Sequence, residues 1–91
     1  MHTKLKLSHD EIVVLTAIAD QELMHSEIED ELFRFEWCDD EVDLKRVLAE
    51  MVQKQLLTTD WKWVLYYAIA PEILLLNRPP YLYESWRSLS E

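Results

Sequence analysis

The chain contains no glycine. Average usage of about 7% would supply roughly six in a protein of this length. The absence excludes glycine-rich phosphate loops and dinucleotide fingerprints, whose backbone must pass close to a phosphate. It also removes the usual helix C-caps and Asn-Gly hairpin turns. Turns therefore fall to Asp60, Asn77, Pro79, Pro80 and irregular loops. Cys38 is the single cysteine, which rules out an internal disulfide and fits a reducing compartment. Long apolar runs are missing too. The longest, around 64–70, has about seven residues, against the roughly 18–20 that a spanning helix needs. The start, MHTKLKLSHDE, is too polar for a signal peptide. These absences predict a cytoplasmic chain with no membrane segment. Positive charge is scarce as well: nine Lys and Arg stand against eighteen Asp and Glu, a net charge of −9.

Patterns that carry chemistry are also lacking. His2, His9, His25 and Cys38 have no zinc-ligand spacing. Asp39, Asp40, Glu41 and Asp43 lack the glycine and the spaced ligands of a calcium loop. Carboxylates surround His25 in sequence, but no Ser or Cys arrangement accompanies them. Cys38 reads as a small, half-buried apolar residue. The expectation is a chain with no catalytic residue, no metal and no cofactor, and so not an enzyme.

What is present is enough for one domain over residues 1–91. A chain of this size buries roughly 60–65% of its unfolded surface. Its 49% hydrophobic and 30% charged residues argue against disorder. The segment 39–57 organises the rest. Asp39 or Asp40 can cap a helix start, because a short carboxylate accepts from first-turn N–H groups. Leu44, Val47, Leu48, Met51 and Val52 then recur at steps of three and four, one apolar stripe along a helix.

Upstream, Lys4–Leu7 is a possible edge strand. Ser8 and Glu11 have capping-box spacing, and Leu7 and Ile12 hold the staple positions. They open a first helix over 8–24, with Ile12, Leu15, Ile18 and Ala19 inward and Val13 and Val14 widening the stripe. Ser26 and Glu29 repeat the spacing and open a second helix over 26–36, with Ile28, Leu32 and Phe33 or Phe35 inward. The third helix covers 39–55.

Downstream, residues 56–70 read as a hairpin, Leu56–Thr59 against Val64–Ile69, rich in strand formers. A helix over 61–70 is the open alternative. Pro71 suits the first position of another helix. Asn77-Arg78-Pro79-Pro80 breaks it, and Pro80 can open a last segment aligning Leu82, Trp86 and Leu89. Residues 71–91 are thus C-terminal helical segments.

A helix ending in Lys54-Gln55-Leu56-Leu57-Thr58, followed by a hairpin, resembles the third helix and wing of a winged helix-turn-helix domain. The resemblance implies a mostly α fold with a small β-hairpin: a three-helix core, a wing and a C-terminal helix. Two features depart from that pattern. Gln55 stands where a glycine usually precedes the wing strand, and the helix link Phe35-Glu36-Trp37-Cys38 is bulky. For DNA binding the resemblance implies the helix beginning near Asp39 in the major groove and Lys62 on the backbone or minor groove, with Lys45, Arg46 and Lys54 as further contacts.

The charge argues against that role. Between Asp20 and Asp43 eleven acids face one base, Arg34, whereas residues 44–91 hold six bases against five acids. Nonspecific DNA affinity comes from cations that displace counterions, and a surface of the opposite sign repels the duplex. The acidic face expected to bind a basic protein partner comprises Glu27, Asp30, Glu31, Asp39, Asp40, Glu41 and Asp43, with mimicry of nucleic-acid charge as one form of that use. The bland reading of the same run is a solvated face that keeps the protein soluble.

Aromatics crowd the last third. Trp61, Trp63, Tyr81, Tyr83 and Trp86 are candidate interface anchors, with a homodimer through the C-terminal segment as one use. The competing reading is a tail that folds back and closes the core. The sequence thus points to a non-catalytic regulatory or adaptor module. The alternative is a small winged-helix transcription regulator that binds DNA as a dimer.

Overall fold

A computed structural model describes residues 5–34 and 43–90. The elements run α1 (His9–Ile18), β1 (Leu23–Met24), α2 (His25–Arg34), α3 (Leu44–Gln53), β2 (Leu57–Trp61), β3 (Leu65–Ile69), α4 (Pro71–Leu74) and α5 (Tyr83–Ser90). Among the described residues this is an α-plus-β fold with one three-stranded antiparallel sheet, ordered β1-β3-β2. The order is compatible with a winged-helix-like arrangement. Strand β1 is the part that the sequence reading lacked.

Helix α1 starts as its sequence dictates. The Ser8 N–H donates to Glu11 Oε1 at 2.9 Å, and the Glu11 N–H donates to Ser8 Oγ at 3.2 Å, a complete capping box. Ile12, Val13, Val14, Leu15, Ala17 and Ile18 are all buried, so the helix is covered nearly all round. It is shorter than expected. Ala19 takes φ 54°, ψ −129°, a conformation that suits glycine, and the chain leaves the helix there. Leu23 and Met24, expected at the helix end, instead pair with Tyr67 and Tyr66 of β3. Residues 5–7, the described part of the expected edge strand, form no regular element.

Helix α2 also begins earlier than its second capping box suggests. Glu27, not Glu29, reaches back, its Oε1 accepting from the Met24 N–H at 2.9 Å. Ser26 lies inside the helix. For α3 the start moves the other way. Asp43 is the N-cap, accepting from the Arg46 N–H at 3.2 Å. The caps proposed at Asp39 and Asp40 lie outside the described residues. Leu44, Val47, Leu48 and Met51 form the buried stripe, as their spacing requires.

The end of α3 aims the hairpin. The Leu56 N–H donates to the Met51 carbonyl at 2.9 Å and the Gln55 N–H to the Val52 carbonyl at 3.0 Å. Gln55 sits at φ 65°. This is a Schellman turn, with glutamine at the position glycine normally takes. Strands β2 and β3 then pair from Leu57↔Ile69 to Trp61↔Leu65. The strand reading of 61–70 therefore holds over the helical one, and β2 runs two residues further than expected.

Pro71 opens α4 at its first turn. Helix α5 starts at Tyr83 rather than at Pro80, and it packs on α1. Trp86 is wholly buried and stacks on Tyr81 at 6.3 Å. Leu82, expected to share its stripe, is exposed. Ser90 Oγ accepts from the Leu7 N–H at 3.1 Å and donates to the Leu7 carbonyl. His9 Nδ1 and the Tyr83 hydroxyl lie 2.9 Å apart. The tail thus closes the core.

Candidate functional site

Helix α2 turns Ile28 and Leu32 inward and must present its other residues to water. Ser26, Glu29, Asp30, Phe33 and Arg34 are exposed, and the 26, 29/30, 33 spacing places them along one stripe. Phe33 is 66% exposed among these carboxylates. Glu31 is half-buried and pairs with Arg34 at 3.6 Å. Glu29 lies 3.9 Å from His25 Nδ1. Glu27 is committed to the Met24 N–H. Of the acids predicted from sequence, the structure thus brings Glu27, Asp30 and Glu31 onto one helix. Asp43 stands apart as the cap of α3, and Asp39, Asp40 and Glu41 lie outside the described residues. Sequence reasoning missed Glu29, by assigning it to a cap, and Phe33, by turning either it or Phe35 inward; Phe33 points out, and Phe35 lies outside the described residues. The i, i+4 spacing from Glu29 to Phe33 was the available signal.

The described part of α3 is not acidic, and the acids expected at the front of the third helix, Asp39, Asp40 and Glu41, lie outside the described residues. Its outward residues include Lys45, Arg46, Ala49, Glu50 and Gln53. Arg46 lies 3.9 Å from Glu50. The outward face of that helix therefore carries two cations and one anion, because the inward stripe uses only apolar residues and leaves the charges outside.

The other two candidate cations are engaged within the molecule. Lys54 Nζ donates to Glu11 Oε2 at 2.8 Å. Glu11 is the buried charged residue of the described chain. Burial pushes its carboxyl up, but the Lys54 ammonium and the Ser8 donors outweigh that, so it stays below the ordinary value. The same bond raises Lys54. Lys62, in the hairpin turn, donates to Glu22 Oε1 at 2.6 Å and sits 5.0 Å over the Tyr66 ring. The Glu22 carboxylate raises it too.

The predicted aromatic anchors divide. Trp61 and Trp63, at the hairpin tip, are 71% and 74% exposed. Trp63 meets the Tyr66 ring edge-on. Beside them a depression of about 350 Å³ is lined by Met24, His25, Ser26, Val64, Leu65 and Tyr67. Tyr81, Tyr83 and Trp86 are taken by the tail and its contacts with α1, which removes them as free anchors. The expected C-terminal association surface is reduced accordingly to Leu75, Leu76 and Leu82, which stay exposed.

Among the described residues no group of three or more His, Cys, Asp and Glu side chains could hold a metal ion. No described helix is long and apolar enough to cross a membrane. Neither a family model, a curated protein nor a solved structure matches the chain.

Proposed function

We propose that this chain is a winged-helix-like regulatory or adaptor module without catalytic activity, and that α2 binds a basic protein partner. Three helices followed by a hairpin support the winged-helix part, as does the turn at Gln55 that stands in for the family's glycine. The observation that carries the partner reading is Phe33, exposed on the same stripe as Glu29 and Asp30. An aromatic ring amid carboxylates offers both an apolar anchor and a field that attracts cations. The cations that a DNA-binding relative would use at Lys54 and Lys62 are already neutralised by Glu11 and Glu22.

A second reading has one observation in its favour. Lys45 and Arg46 are exposed on α3, the helix a winged-helix DNA binder lays in the major groove. Fluorescence titrations of the full chain against a labelled basic amphipathic peptide and a labelled mixed-sequence duplex, at low and moderate salt, separate the two. Partner binding predicts peptide affinity that falls with salt and is lost in Asp30→Lys and Phe33→Ala. Duplex binding that weakens with salt and disappears in Lys45→Glu, with no peptide binding, transfers the conclusion to the second reading.

A further inference from the structure

Among the described residues the sheet order leaves β2 at an open edge, since its one partner there is β3. The bonds that bracket the ladder fix which residues look outward. The Ala70 N–H donates to the Leu56 carbonyl at 3.0 Å, and the Lys62 N–H to the Val64 carbonyl at 3.1 Å. Bonded and non-bonded pairs alternate along an antiparallel ladder. Leu56, Thr58, Asp60 and Lys62 therefore bond towards β3, and Leu57, Thr59 and Trp61 turn their N–H and C=O groups to the open edge. This outward set is symmetric about Thr59.

We propose that a second copy of this chain pairs antiparallel along β2, with Thr59 opposite its own counterpart and Trp61 of each copy opposite Leu57 of the other. That register sets outward-facing residues against outward-facing residues, as a two-fold contact requires. It also places an exposed ring against a matching hollow. Trp61 lies at one end of the edge. At the other end a depression of about 300 Å³ opens beside Leu57 and Thr58, bounded by Val52, Gln55, Ala70, Pro71 and Glu72. Residues 57, 59 and 61 share a face of the strand, so each Trp61 ring arrives on the Leu57 side.

Charge selects a copy of this chain as occupant. The register sets Asp60 against Thr58 rather than against another acid. The acidic α2 follows β1 directly, at the opposite edge of the sheet. Two copies meeting at β2 thus bring together the near-neutral part of the chain and hold the acidic helices apart. A strand of five residues buries little area, so the association is reversible and concentration-dependent. It is independent of the α2 reading, and Asp30→Lys leaves it unmoved.

Sedimentation of the full chain over a wide concentration range tests the contact. The mass climbs from 11.0 kDa towards twice that value. Thr59→Pro removes an outward N–H and no bond to β3, at the kind of position where edge strands accept proline. It should hold the chain at 11.0 kDa with its melting temperature little changed. On a Cys38→Ser background, Thr59→Cys should cross-link under mild oxidation. Directly opposed residues of a bonded pair have Cα atoms about 5.5 Å apart, within disulfide reach. Thr58→Cys faces residue 60 of the second copy and should stay unlinked. A chain that remains monomeric at every concentration overturns the proposal, as does a dimer that survives Thr59→Pro or escapes cross-linking at residue 59. Should Thr59→Pro unfold the chain, the cross-link alone decides.

Discussion

Among the described residues, two carry the cost of a chain without glycine. Ala19 at φ 54° and Gln55 at φ 65° are held at positive φ, where a Cβ is crowded. Strain of this kind is worth on the order of 1–3 kcal/mol per site. Ala19→Gly and Gln55→Gly should therefore each stabilise the fold by about 1 kcal/mol, read as a higher midpoint in urea denaturation with an unchanged slope. The Glu11–Lys54 pair makes the opposite point. Complete removal of one partner from a buried pair costs about 3–5 kcal/mol. Lys54 is half exposed, and Glu11 keeps its Ser8 donors, so about 1–2 kcal/mol is expected for Lys54→Met. The carboxyl of Glu11 is lowered in the folded state, so its contribution is present above the unfolded carboxylate range. It is lost as pH falls through the lower folded value. Denaturation midpoints measured from pH 7 downward should fall less steeply in Glu11→Gln. Half of this site was legible beforehand. The Ser8–Glu11 box follows from spacing alone, whereas Lys54 lies 43 positions away and nothing local announces it.

At the scale of elements, what was readable depended on whether the signal was local. The α3 stripe, the strand-rich 65–69 run and the proline that opens α4 depend on their own residues, and all appear. Strand β1 does not, because two residues have no period. Leu23 and Met24 become a strand only because β3 is there to pair with them. The direction of the tail was equally hidden, since Trp86 suits a core and an interface alike. Its complete burial against α1 decides for the core. Deleting residues 83–91 should therefore unfold the domain rather than yield a cooperative monomer, since loss of a buried Trp alone costs about 3–5 kcal/mol. Circular dichroism of the truncated chain, showing no cooperative melt, checks this. A truncated chain that still melts cooperatively would place the stability elsewhere.

The whole molecule is divided by charge, with the acid concentrated before Asp43 and near neutrality after it. Such self-repulsion acts over a range of about 30 Å at 0.01 M salt and about 8 Å at 0.15 M. Raising salt between those limits should increase stability. Calorimetry should register an upward shift of a few degrees, given about 4–8 °C per kcal/mol for a domain of this size. Molecular shape adds a consequence in time. Leu7 and Ser90 are hydrogen-bonded across 83 positions. At a synthesis rate of about 5–20 residues per second, roughly 4–17 seconds separate their appearance. Through that interval α1, greasy on almost every side, has left the ribosome before its last cover is translated. The nascent chain thus waits with its stickiest helix bare, and this is where a chaperone would find its grip.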